Sequence, residues 1–260
     1  NYNLTSARYY FASIYNSIDL SDSVEIDELN VSNLGHLVLN KDSSLSVLLN
    51  TNIQKGTVTN NGTFNSSALF VNEGTYKNEN ASSFLNQIEV NKGELINNGD
   101  ITAGSIILKE GIVSGSGKFI TDKFISEGSI SPGSQNNPIG TLTFSSLLES
   151  KGDLLIDLNN INESDFIKVG KFKIDGTLTL NPLNTFYSGN SRFNIISFEE
   201  IEGQTFTKLN VLEPNFGRLN QKVIYMDKGI DLMLLNPSYE NLVEKEKARS
   251  IGIHIDNFTN

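Results

Sequence analysis

Between residues 30 and 130 the chain alternates apolar and polar positions in short runs, and each run is bounded by Gly or Asn. Gly-Thr-Val-Thr begins at Gly56, Gly-Thr-Tyr-Lys at Gly74, Gly-Glu-Leu-Ile at Gly93, Gly-Ile-Val-Ser at Gly111 and Gly-Ser-Ile-Ser at Gly128. The intervals are 18, 19, 18 and 17 residues, and Gly35 precedes Gly56 by 21. A period of two over a few residues predicts a half-buried strand. In several units a second strand follows an Asn-Gly turn, as where Asn61-Gly62 leads into Thr63-Phe64 and Asn98-Gly99 into Asp100-Ile101. A third apolar run closes the unit at 68–71, 88–90, 105–108 and 123–125.

A unit of about 18 residues with two or three short strands is the signature of one rung of a β-solenoid. A single rung cannot bury its own inward side chains. Stacking at about 4.8 Å gives every strand a parallel partner and lines the inward residues up in continuous apolar columns. The pattern therefore predicts an all-β chain built as a right-handed parallel β-helix. Gly and Asn are expected at its corners, where the backbone turns sharply with φ > 0. A β-sandwich or a run of hairpins is the alternative, because Asn-Gly is also a strong hairpin signal; neither gives Gly a reason to recur at this period. The nonapeptide that binds calcium in some β-rolls is absent.

After Ile130 the pattern changes. Ser131-Pro132-Gly133 predicts a type II turn, and the strands that follow are longer, at 141–144, 153–158 and 176–180. Residues 223–226 and 230–234 flank Asp227-Lys228-Gly229 and predict a hairpin, which would cover the open edge of the last rung. Asn236 and Pro237 then suit the start of a helix with Tyr239, Leu242 and Val243 on one face. The expected organisation is rungs over 1–127, a capping region that continues them over 128–236, and a linker helix and tail over 237–260.

Composition narrows the partners. The 260 residues carry a formal charge of −10, which argues against nucleic acid and against anionic lipid headgroups. There is no Cys, so neither a disulfide framework nor a thiolate site is available. No run of about 18 apolar residues predicts a membrane-spanning helix. Residues 1–20 show neither the basic nor the apolar part of a signal peptide. Because the sequence opens with Asn1 inside patterned sequence, it is expected to be a segment of a longer protein.

Candidate chemistry is sparse. His36 and His254 are the only histidines and lie far apart, so a paired histidine ligand set is not expected. Gly115-Ser116-Gly117-Lys118 resembles part of a phosphate loop, but Ile112 and Phe119 stand where that motif needs Gly and Ser or Thr, and a rung corner is the better reading. Asp153, Asp157, Glu163 and Asp165 form an acidic cluster of the kind that binds calcium; Asp153 and Asp157 alternate with apolar residues, as the outward face of a strand does. Glu94, Asp100, Glu110, Asp122 and Glu127 share no common phase in the repeat, as the convergent carboxylates of a glycan-cleaving enzyme would. Sequons such as Asn61-Gly62-Thr63 and Asn80-Ala81-Ser82 follow from composition. No catalytic residue, cofactor or metal site is expected.

Four segments together resemble the passengers of type V bacterial autotransporters. Ile130-Ser131-Pro132-Gly133 followed by Ile139-Gly140-Thr141-Leu142-Thr143-Phe144 is similar to the family's "SPG…GTLT" signature. Ser164-Asp165-Phe166-Ile167-Lys168-Val169, Gly176-Thr177-Leu178-Thr179-Leu180 and Arg192-Phe193-Asn194-Ile195-Ile196-Ser197 resemble the segments after it. The resemblance covers roughly 128–236, and the loop 134–138 is longer than in the common signature. It implies the autochaperone region, which caps the passenger's β-helix and seeds its folding, followed in the full protein by a linker helix and an outer-membrane β-barrel. It further implies export to the bacterial surface or the medium. The implied function is that of an adhesin or autoaggregation factor whose partners are host cells or neighbouring bacteria, through protein or glycan, with self-association possible. A vacuolating-cytotoxin-like passenger and a β-helical polysaccharide lyase or hydrolase are the alternatives.

Overall fold

The computed structural model describes residues 9–237 except 160–162, 204 and 214. These form twenty-one strands joined in one mostly parallel sheet, and no helix is present among them. The protein is all-β. The helix expected over 237–260 lies, past Pro237, outside the described residues.

Up to residue 211 each strand pairs with sequence one repeat away rather than with its neighbour across the nearest turn. Thr57 pairs with His36 on one side and Thr75 on the other, and Thr63 with Ser44 and Ser82. Segments 57–60 and 63–66 flank Asn61-Gly62, yet their partners are parallel and 18 to 21 residues distant. The Asn-Gly turns are therefore bends between parallel arrays, not hairpin tips.

Three parallel arrays result. One passes through 36–39, 57–60, 75–78, 94–97, 112–115, 129–132, 153–158, 177–182 and 208–211. A second joins 23–26, 44–47, 63–66, 82–85, 100–103, 118–121, 141–144 and 166–169. The third joins 11–14, 28–31, 51–53, 68–71, 87–90, 105–108, 123–126, 147–150 and 171–174. Short runs that look separate in sequence are continuous strands: Thr63–Asn78 carries one segment of each array, the chain bending where the register shifts. Pairing crosses residue 128 without a break, since Ile112 pairs with Ser129 and Phe119 with Phe144.

The parallel register stacks like on like. Leu37, Val58, Tyr76, Leu95, Val113, Ile130, Leu154 and Leu178 form one buried column. Leu45, Phe64, Ser83, Ile101, Phe119, Phe144 and Val169 form another. Volumes compensate between columns: Ser83 stands where its neighbours are Phe64 and Ile101, and its hydroxyl meets the hydroxyl of the fully buried Tyr76 at 2.6 Å. Phe119 lies flat against Phe144 at 5.3 Å with Phe124 edge-on to both. Burying each ring contributes about 1.5–3 kcal/mol.

Two further columns explain the Asn and Gly. Asn60, Asn78 and Asn97 are fully buried one above another; Asn60 Nδ2 donates to Asn78 Oδ1 at 2.9 Å and Asn78 Nδ2 to Asn97 Oδ1 at 3.0 Å. Their amides also reach the carbonyls of Ser82, Asp100 and Lys118, and Asn60 and Asn97 accept from the backbone N–H of Gly62 and Gly99. The ladder thus satisfies the polar groups that the bend would otherwise bury. The glycine column runs through Gly35, Gly56, Gly74, Gly93, Gly111, Gly128, Gly152 and Gly176, each lying against the backbone of the one before. None of these glycines has the left-handed φ expected at a corner. That conformation falls on the residue before three of them, Leu34, Lys55 and Glu73, with φ of 70°, 63° and 60°. The glycine is needed for closeness: a Cβ on Gly111 would collide with the Gly93 carbonyl and stand 2.7 Å from Val90 Cγ1.

The stacking ends differently from how it runs. Ser191–Glu202 pairs in parallel with Phe166–Ile174, but the next strand on it, Gly229–Leu235, is antiparallel, and Asn220–Met226 lies antiparallel on that. Asp227 and Lys228 alone make the hairpin turn, and Gly229 is already in the strand. Of the type II turn expected at Ser131-Pro132-Gly133, the positive φ of Gly133 is present, but Ser134 N–H donates to Asn137 O rather than back to Ser131. Ser131 and Pro132 end the strand Ser129–Pro132, and Gly133, at φ +84°, exchanges backbone hydrogen bonds of 2.8 Å with Gly115.

Replacing Gly111 with alanine should cost roughly 2–4 kcal/mol, read as a lower urea midpoint. Gly217→Ala, where a Cβ meets nothing within 4 Å but φ is +65°, should cost only about 1–2 kcal/mol. Asn78→Ala should cost about 1–3 kcal/mol by orphaning its buried partners; an unchanged midpoint would remove the ladder from the account.

Candidate functional site

A groove lies on the outward face of the array that carries the glycine and asparagine columns. Strand alternation sends Leu95, Val113, Ile130 and Leu154 inward, so Glu94, Ile96, Ile112, Ser114, Ser129, Ser131, Asp153, Leu155 and Asp157 face out. The loop 133–138 rises beside them as a wall and encloses a groove of about 770 Å³. Lys77, Glu79 and Asn98 close one end, and Asp153 and Asp157 lie at the other.

The loop is built rather than loose. Gly133 is pinned to Gly115, Ser134 N–H donates to Asn137 O at 2.8 Å, and Asn137 N–H returns to Ser134 Oγ at 3.2 Å. Its far end is held by Asp165, whose side chain is buried: Oδ1 accepts from Gly140 N–H at 2.8 Å and Oδ2 from Asp157 N–H at 2.9 Å. One carboxyl group therefore ties the base of the wall to the strand that forms the floor. Burial pushes the Asp165 carboxyl up to about 8, against the two backbone N–H groups that favour its charged form. Burial also raises Asp157, whose Oδ1 accepts from Asn181 Nδ2 at 2.7 Å.

The groove's charges are unbalanced. Glu79, Glu94, Asp153 and Asp157 face Lys77, and among the described residues none of the four carboxylates is in an ion pair. They have neutral partners: Asn98 Nδ2 at 2.8 Å from Glu79, Ser114 Oγ at 3.4 Å from Glu94, and Thr179 Oγ1 at 2.7 Å from Asp153. Elsewhere carboxylates and lysines do pair, as Lys109 with Glu89 and Lys92 with Glu110. Glu149 is the extreme case, nearly buried with Lys173, Lys151 and Lys123 at 2.9, 3.4 and 3.7 Å. The Lys173 hydrogen bond holds its carboxyl below the usual range.

The residues singled out in the sequence separate. Asp153 and Asp157 reach the groove, Asp165 is buried behind it, and Glu163 bonds to the Asn159 amide at 3.1 Å. No group of acidic or histidine side chains that would hold a metal ion is found among the described residues. Of the scattered carboxylates, Glu94 lines the groove, Glu110 pairs with Lys92 and Glu127 with Lys151. Gly115–Lys118 leads into the strand Lys118–Ser126, not into the helix a phosphate loop requires. His36 is exposed at the start of His36–Leu39, and His254 lies outside the described residues. The asparagine ladder was hidden beside the Asn-Gly turns, since Asn60 and Asn97 directly precede Asn61-Gly62 and Asn98-Gly99. Its signal was the spacing of Asn60, Asn78 and Asn97, which follows the glycine period.

The raised Asp165 carboxyl sets a sign for pH. The folded state holds this proton more tightly than the unfolded chain, so its contribution is complete below about 4 and is lost as pH rises to about 8. Urea midpoints should therefore fall between pH 5 and pH 8.5, and Asp165→Asn should flatten that slope; an unchanged slope would show the group titrates normally. Glu149 acts below this window, because its shift is downward. No family model matches the chain, and a search of curated proteins finds no match.

Proposed function

We propose that this chain is a segment of a right-handed parallel β-helix and serves as a surface-exposed or secreted autotransporter passenger. In this reading residues 1–127 are rungs, 128–236 cap and seed them, and the whole is a non-enzymatic scaffold for adhesion or autoaggregation at the bacterial surface. The observation that carries it is the parallel register in three arrays, ended by an antiparallel hairpin on the last long strand. Right-handedness follows from the general preference of parallel crossovers. The resemblance of 128–236 to autochaperone regions adds the family. Under that resemblance Asp165 has a physical task, since it joins the backbone N–H of Gly140, just before the strand Thr141–Ser150, to that of Asp157 in Asp153–Leu158.

A cap must be attached to work. Asp231, buried in the hairpin, meets Arg192 and accepts from Asn194 Nδ2 at 2.7 Å on the strand it covers. Arg192→Ala should cost about 1–3 kcal/mol, because it leaves a buried carboxylate with one neutral partner. It should also promote aggregation as the edge opens; light scattering that stays at the unmodified level would argue against a cap. The functional half is tested by flow cytometry of the labelled chain on host cells and on bacteria. Saturable binding places recognition within these residues, whereas a folded sample that binds neither contradicts the adhesive role.

A further inference from the structure

The groove's carboxylates fall in two groups along the stacking direction. Glu94 and Asp153 occupy the same outward column, separated by Ile112 and Ser129. Glu79 flanks the first and Asp157 the second. Three strand spacings of about 4.8 Å place the two acidic ends about 14 Å apart. Between them the floor is uncharged and partly apolar, with Ile112 45% exposed. That is a large apolar group to leave open in a groove whose acids have no cationic partner among the described residues.

We propose that this groove binds an extended polypeptide carrying lysine or arginine at positions i and i+4. The spacing follows from geometry. An extended chain advances about 3.4 Å per residue, so four residues span about 14 Å, and side chains at i, i+2 and i+4 share one face. The two cations then meet Glu94 and Asp153, their aliphatic stems lie on the floor, and an apolar residue at i+2 covers Ile112. The amides of Asn136 and Asn137 on the wall supply partners for the peptide backbone. A neutral glycan fits less well, because no aromatic side chain lines the groove to stack against a sugar ring. The proposal rests on the groove itself and holds whether or not the protein is an autotransporter passenger.

The test is fluorescence anisotropy of the full chain with a labelled acetyl-Gly-Lys-Thr-Val-Thr-Lys-Gly-amide peptide at low salt. Binding should weaken at least tenfold when both lysines are replaced by glutamine, and likewise when they are placed side by side. The double variant Glu94→Gln with Asp153→Asn should lose at least tenfold, with its unfolding midpoint unchanged. Carbodiimide coupling on the unmodified protein gives a readout that needs no variant: peptide lysines should link to Glu94 and Asp153. Absence of binding, equal affinity for the adjacent-lysine peptide, or links confined to acids outside the groove would overturn the proposal. Binding of chitotetraose in place of the peptide would do the same and assign the groove to a glycan.

Discussion

Every pass of this chain leaves its backbone N–H and C=O groups unsatisfied until the next pass lies on it in parallel. An unmet buried amide or carbonyl costs about 1–3 kcal/mol, so the spacing between passes is the constraint to which other features answer. The glycine column exists because successive bends press together there, Gly152 and Gly176 as well as the six glycines evenly placed before them. The asparagine ladder exists because the bends at the other end of the same segments turn carbonyls inward, where a side-chain amide reaches both the next asparagine and the backbone. The apolar columns follow once each pass is in register with the last.

The outward faces are freer, and they differ. On the array of segments 105–108, 123–126, 147–150 and 171–174, lysines and glutamates neutralise one another in a network centred on Glu149. On the array with the glycine column, carboxylates without cationic partners among the described residues gather in a groove whose wall interrupts the repeat. Asp165 connects these two levels of organisation. It is buried like a core residue, yet its two bonds fix the wall and the floor of the groove. The desolvated acid acts through position, as a clasp on backbone N–H groups.

The repeat was legible because a close approach between backbones selects Gly at a fixed interval. The parallel array was legible for the same reason. At three corners positive φ falls on the residue before the glycine, since sequence alone does not separate a glycine needed for conformation from one needed for space. Leu34, Lys55 and Glu73 carry that strain instead. Pro132 was half legible: the glycine after it takes the positive φ a turn requires, but the proline itself ends a strand, where its missing N–H is no loss. The groove was out of reach. It depends on which outward residues of five different passes align, and on a loop, 133–138, that obeys no period. Asp153 and Asp157 were recognised as outward-facing, whereas the burial of Asp165 depends on Gly140, 25 residues away.

Parallel register is the central claim, and distances between spin labels test it most directly. Labels at Thr57 paired in turn with Ile112, Ser129, Asp153 and Thr177 all occupy one outward column. Double electron–electron resonance should give separations that grow by about 4.8 Å with each pass. Separations that fail to grow in that order would contradict the stacking from which the columns, the ladder and the groove are derived.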